Sequence, residues 1–193
     1  MNAINPLSDL SQALETEVAA ARGLAVAVRN ASHRHISALL WQPDVVVTSE
    51  QAVGNRDEYE VVTAAGATAT ARIAGRDPGT NLLVMRTDAP LAATTVPRGT
   101  ARVGSLTLAL GADAAGATTA RLGLVSSVGP QWYSRAGGRL EQRIALDIRL
   151  RRTEEGDRSL IRRVPCWACR RSDRREWCSS SRSRPSSASC RSY

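Results

Sequence analysis

Residues 36–53 read ISALLWQPDVVVTSEQAV, and their reading decides the fold class. Two apolar runs, 36–41 and 45–48, are each too short for a stable helix, and the second is three valines and a threonine. Between them stands Gln42-Pro43-Asp44, a turn signal, so the stretch predicts two strands joined by a tight turn. The same rhythm extends on both sides. Residues 24–28, 59–63, 68–73 and 82–86, then 105–110, 120–128 and 140–150, are further short β-type runs punctuated by Gly, Pro, Asn and Asp. One amphipathic helix is expected ahead of them, over residues 8–21. Leu10, Leu14 and Val18 fall there at helical spacing, with Ser8 or Asp9 placed to cap the first turn. Nothing after residue 22 holds a 3.6-residue apolar period for three turns, which argues against a helical or βαβ fold. The pattern is that of an antiparallel barrel or sandwich. A single sandwich and two barrels joined through residues 90–100 both fit it.

Composition sharpens the division. The chain has 193 residues and a formal charge of +8, with no Lys and no Phe. Up to Gly156 there are 16 Arg against 15 acidic residues; from Asp157 onward there are 10 Arg against 3. The basicity therefore belongs to the last 37 residues, which also hold all four cysteines and ten serines. No apolar run reaches 18 residues, and the first 20 lack the basic and apolar regions of a signal peptide, so the expectation is a cytoplasmic protein with no membrane partner.

Three segments in order resemble trypsin-like serine proteases of the HtrA/Deg type. The stretch 36–53 is similar to the family's strand, turn and strand leading into a Thr-x-x-His-Val motif. Residues 71–91, ARIAGRDPGTNLLVMRTDAPL, are similar to its Gly-Arg-Asp-Pro-x-Thr-Asp-Leu segment. Residues 101–111, 120–129 and 143–150 resemble its second barrel up to the approach of the nucleophile loop. The fold class that the resemblance implies is all-β: a trypsin-like double β-barrel with a short N-terminal helix and an incomplete second barrel. The expected organisation is a helix over 1–22, a first barrel over 23–92, a partial second barrel over 93–156 and a tail over 157–193. The implied partners are peptides or unfolded protein segments, no cofactor or metal is implied, and the family is commonly exported.

The chemistry of that family needs a hydroxyl nucleophile, an imidazole base, an orienting carboxylate and backbone donors for the oxyanion. At the matching positions this sequence has Gln51 for the base, Asn81 for the carboxylate and Gly156 for the nucleophile. An amide cannot accept and return a proton near neutral pH. Asp157 and Arg158 replace the two glycines whose freedom a tight oxyanion loop requires. Substitutes are poor. His33 and His35 precede the motif and read as loop residues, and Asp77 is the turn-forming residue of Asp-Pro-Gly. Ser159 has no base nearby in sequence, and Glu154 and Glu155 read as solvated charges. The expectation is an inactive, truncated homologue.

The tail offers one C-x-x-C pair, Cys166 and Cys169, then Cys178 and Cys190; a thiolate zinc site usually needs two such pairs. Ten arginines would bind phosphate nonspecifically in any setting, so a binding module whose basic tail contacts nucleic acid or an acidic partner is the alternative function. A reading-frame argument is sharper. Cys166-Trp167-Ala168-Cys169 must be spelled TGY TGG GCN TGY, and shifting it by two bases forces an apolar residue, Leu, Gly and another apolar residue. That is a strand pattern, where the family resumes its second barrel. The tail is expected to be out of frame and disordered, and the uncovered barrel edges are expected to lower solubility.

Overall fold

The structure, a computed structural model, describes residues 5–29, 35–95 and 99–148. A helix α1 (Pro6–Ala21) is followed by six strands, β1 (Ala25–Arg29), β2 (His35–Gln42), β3 (Val45–Ser49), β4 (Tyr59–Thr63), β5 (Thr68–Asp77) and β6 (Leu82–Thr87). They close into an antiparallel barrel in the order β1-β2-β3-β6-β5-β4. Closure leaves no free strand edge in this half. The interior is filled by alternate residues of each strand, among them Val26 and Val28, Ala38 and Leu40, Val46, Val61, Leu83 and Met85.

The strands nearest the second half are buried on both faces. In β1 the valines point into the barrel while Ala25 and Ala27 point outward, where they join Leu39 and Val62 in a second cluster with Leu108, Leu110 and Ala112. The small outward residues are what let another sheet approach. That sheet contains β7 (Leu106–Ala112), β8 (Thr118–Gly129) and β11 (Arg143–Leu146), in the order β11-β8-β7. A two-residue ribbon, β9 (Trp132–Tyr133) with β10 (Arg139–Leu140), sits in the β8–β11 connection. Among the described residues the second half is thus a partial sheet. It has a small core of its own, Ala101, Val125 and Ile144.

Two expectations are corrected. The helix starts earlier than residue 8: Asn5 is its cap, its side-chain oxygen accepting from the Leu7 backbone N–H at 3.2 Å, and Pro6 fills the first turn, where a missing N–H costs nothing. The run 140–150 is not one strand. Leu140 pairs with Trp132 in the ribbon, and only Arg143–Leu146 joins β8, with a register shift after Ala145. The call-outs of the sequence beyond residue 148 lie outside the described residues, and so does His33.

One polar side chain joins the two halves. Ser37, fully buried on β2, donates from Oγ to the Ala112 carbonyl at 3.1 Å and accepts from the Ala112 N–H at 3.0 Å. Ser37→Ala leaves both backbone groups unsatisfied, so a loss of about 1–3 kcal/mol is expected in urea unfolding. A change below about 0.5 kcal/mol would show that water replaces the hydroxyl.

Candidate functional site

Gln51 and Asn81, which the resemblance aligns with base and carboxylate, meet at one corner of the closed barrel. Strand β3 ends at Ser49 and passes into a short 3-10 turn, Glu50–Ala52, that leaves the Gln51 side chain exposed. Facing it is the β5–β6 connection, Pro78 to Asn81. Asp77 builds this connection: its Oδ1 accepts from the N–H groups of Gly79 at 2.9 Å and Thr80 at 3.3 Å, and its Oδ2 accepts from the Thr80 hydroxyl at 2.5 Å. The Thr80 hydroxyl, aided by the two N–H groups, holds the Asp77 carboxyl below its ordinary pKa against the opposing effect of burial. Asp77 is thus the turn former the sequence indicated, with both oxygens committed within the turn.

Asn81 ends the turn in the left-handed region, with φ 58°. Asparagine tolerates that conformation better than most residues with a Cβ. Its carbonyl accepts from the Glu50 N–H at 3.3 Å, and its Oδ1 accepts from the Gln51 N–H at 2.9 Å and from the Ser49 hydroxyl at 3.1 Å. The backbone N–H can only donate, so the amide oxygen, not its nitrogen, must face Gln51. The flank of the turn is pinned by Arg76, whose guanidinium pairs with Glu50 at 3.1 Å and donates to the Gly54 carbonyl at 2.7 Å.

What this corner can do chemically follows from its donor set. It holds two amides, a hydroxyl and an ion pair. It has no imidazole and no free carboxylate aimed at Gln51. His35 opens β2 opposite Arg29, and the bonds to Asn81 come from Ser49, Glu50 and Gln51. Gly156, Ser159, Glu154, Glu155 and the four cysteines lie outside the described residues. Among the described residues no group of three or more His, Cys, Asp or Glu is placed to hold a metal ion. No helix there is long and apolar enough to cross a membrane.

Sequence reading missed a clasp between the halves. Ser134, buried in the β9–β10 ribbon, donates from Oγ to the Gly79 carbonyl at 2.5 Å and accepts from the Gly138 N–H at 3.1 Å. Gly138 packs so closely that a Cβ there would fall on the Gly79 backbone. The only sequence signal was the Gly137-Gly138 pair, which reads equally well as an ordinary hairpin turn.

No protein-family model matches this sequence, and no curated protein does. Solved structures do. Deg5 superposes with a TM-score of 0.64 at 19% identity, covering 77% of this chain and 78% of that one. The MamO protease domain from Magnetospirillum magneticum, in its apo form, gives 0.57 at 19% identity over 71% and 77%. The inactive form of Rv3671c protease gives 0.56 at 19% identity over 72% and 72%. The fold is that of the HtrA-type, trypsin-like proteases. At this identity the likeness is one of backbone, and the double-barrel expectation is met by one closed barrel and a partial second sheet.

The clasp gives a test of how the corner is held. Gly138→Ala should push the ribbon off Gly79 and loosen the turn that ends in Asn81. Amide hydrogen exchange should accelerate at Thr80 and Gln51 while Val46 and Met85 in the barrel keep their protection. Unchanged exchange at Gln51 would mean the corner is rigid without the second half.

Proposed function

We propose that this protein is a proteolytically inactive member of the trypsin-like, HtrA-type endopeptidase group, its second barrel cut short relative to that group. The reading rests on Gln51 and Asn81. They occupy the corner where the resemblance locates base and carboxylate, they are joined through the Gln51 N–H and Asn81 Oδ1, and both side chains are amides. Neither exchanges a proton near neutral pH, and an amide opposite the base carries no charge to stabilise an imidazolium. Gly156, aligned with the nucleophile, has no side chain to attack with. An inactive protein of this kind would bind extended or unfolded segments without cutting them.

The test combines a fluorophosphonate probe with casein hydrolysis on the full chain. No adduct and no turnover above the buffer rate are expected at any pH from about 5 to about 9, since neither amide can accept and return a proton there. A serine adduct accompanied by turnover would overturn the reading.

The shortening has its own explanation: the segment from Asp157 onward is read out of frame. The forced Leu-Gly behind Cys166-Trp167-Ala168-Cys169 supports it, as does a composition of ten Arg and ten Ser that supplies no strand pattern. The nucleotide sequence across codons 150–193 from more than one isolate should show a disrupted frame with an apolar continuation. An intact frame with the same tail in every isolate would refute it.

A further inference from the structure

Helix α1 is fastened to the body at its C-terminal end. There Ala21 is buried, the Arg22 guanidinium donates to the Ala64 carbonyl at 3.3 Å, and the Arg22 carbonyl accepts from the Thr118 hydroxyl at 3.5 Å. Gly23 runs so close to Thr94 that a Cβ on it would strike the threonine hydroxyl, and the Leu24 carbonyl already accepts from the Leu40 N–H of the barrel at 2.9 Å. Ahead of this anchor the attachment thins. Of the 16 residues in α1 only Ala21 is buried. Leu14 and Val18 are partly buried against the cluster of Leu108 and Leu110, while Leu10 and Leu7 before them are 41% and 77% exposed. The Ser11 hydroxyl donates to Glu15 and the Thr16 hydroxyl to the Gln12 carbonyl, so both bonds stay inside the helix.

The seat itself is loose. A helix packed on a sheet normally leaves no space larger than a water molecule beneath it. Here an open groove of about 450 Å³ lies between the two, with Leu14 and Val18 on the helix side and Leu108, Ala120 and Leu122 on the β7–β8 ribbon. Ala120 offers the groove only a methyl group. An isolated helix of this length is marginal in water and owes its stability in a protein to the face it packs. An element with few buried apolar contacts opens at a lower free energy than the whole molecule. The barrel is built the other way, closed on itself around its own core.

We propose that α1 is a detachable strap, hinged at Arg22 and Gly23, that unseats from β7–β8 as a unit while the barrel stays closed. Unseating lifts Leu14 and Val18 off Leu108 and joins that residue to Leu106, Leu122 and Leu124, which are exposed already. The position of α1 thus sets how much apolar surface the ribbon presents. The device does not involve the corner of Gln51 and Asn81, and it stands whether or not the chain hydrolyses peptides.

Amide hydrogen exchange of the full chain, read by mass spectrometry in rising urea below the unfolding transition, tests this. Peptides from the middle of α1 should exchange about tenfold or more faster than those covering β1 to β3, with little dependence on urea, the mark of a local opening. Two substitutions separate unseating from simple fraying. Val18→Ala removes part of the seat yet raises intrinsic helix propensity, so exchange in α1 should quicken by about threefold or more if seating governs it and slow if local helix stability does. Ala120→Leu fills the groove from the ribbon side and should slow exchange in α1, with the barrel strands unchanged in both variants. Protection of α1 equal to that of the barrel, unchanged or slower exchange in Val18→Ala, or no slowing in Ala120→Leu would overturn the proposal.

Discussion

The double burial of β1 and β2 is the constraint on which the rest of this molecule depends. A barrel strand normally shows one face to its own interior and one to water, but here the outward residues Ala25, Ala27, Leu39 and Val62 form the floor on which Leu108, Leu110 and Ala112 rest. Large outward side chains would hold the second sheet away and leave voids, and interiors tolerate few of those. The alternation Ala-Val-Ala-Val therefore does two jobs. The valines fill the barrel at about 1.5–3 kcal/mol for each fully buried side chain, and the alanines set the distance at which β7 arrives. At that distance Ser37 can reach both polar groups of Ala112. One hydroxyl thus satisfies a backbone donor and acceptor that would otherwise be buried unpaired.

The second half depends on the first for burial far more than the reverse. The closed barrel has its own core and no free edges. The sheet of β7, β8 and β11 buries one set of side chains on that barrel, and its independent cluster is small. The exposed leucines of β7 and β8 follow directly. They lie on the same face as Leu108 and Leu110 but beyond the reach of the barrel, and α1 lifts away before covering them. An apolar surface produced in this way is a property of the packing, and it explains why the exposed large aliphatic residues among those described, Val103 apart, gather on the helix and this ribbon.

How much of this was legible in the residues depended on how local the signal was. The barrel strands were, because each is a short β-branched run between turn residues; β4 was bounded to the residue at Tyr59 and Thr63. The helix start was misplaced since Ser8 and Asp9 look like better caps than Asn5 until Pro6 is seen to occupy the first turn. The run 140–150 deceived for a different reason. Its alternation of charged and apolar residues fits one strand, but Leu140 is claimed by Trp132 through a hairpin whose signal, two glycines and two short flanks, is weak. The clasp of Ser134 on Gly79 was invisible, because it joins residues 55 apart in sequence through a backbone carbonyl that any residue could supply.

The two positions at the candidate corner are under unlike constraints. At residue 81 the backbone is left-handed and the side chain must present an acceptor to the Gln51 N–H and the Ser49 hydroxyl. Asn meets both demands: it tolerates the conformation and its amide oxygen accepts hydrogen bonds. A larger change there would unmake the turn that Asp77 and Gly79 set up. At residue 51 the structure uses the backbone alone. The side chain is exposed at the end of a 3-10 turn, so its identity is set by chemistry when there is chemistry to do and is otherwise free. Gln51 and Asn81 therefore differ in kind: the first is an open position, the second a structural one.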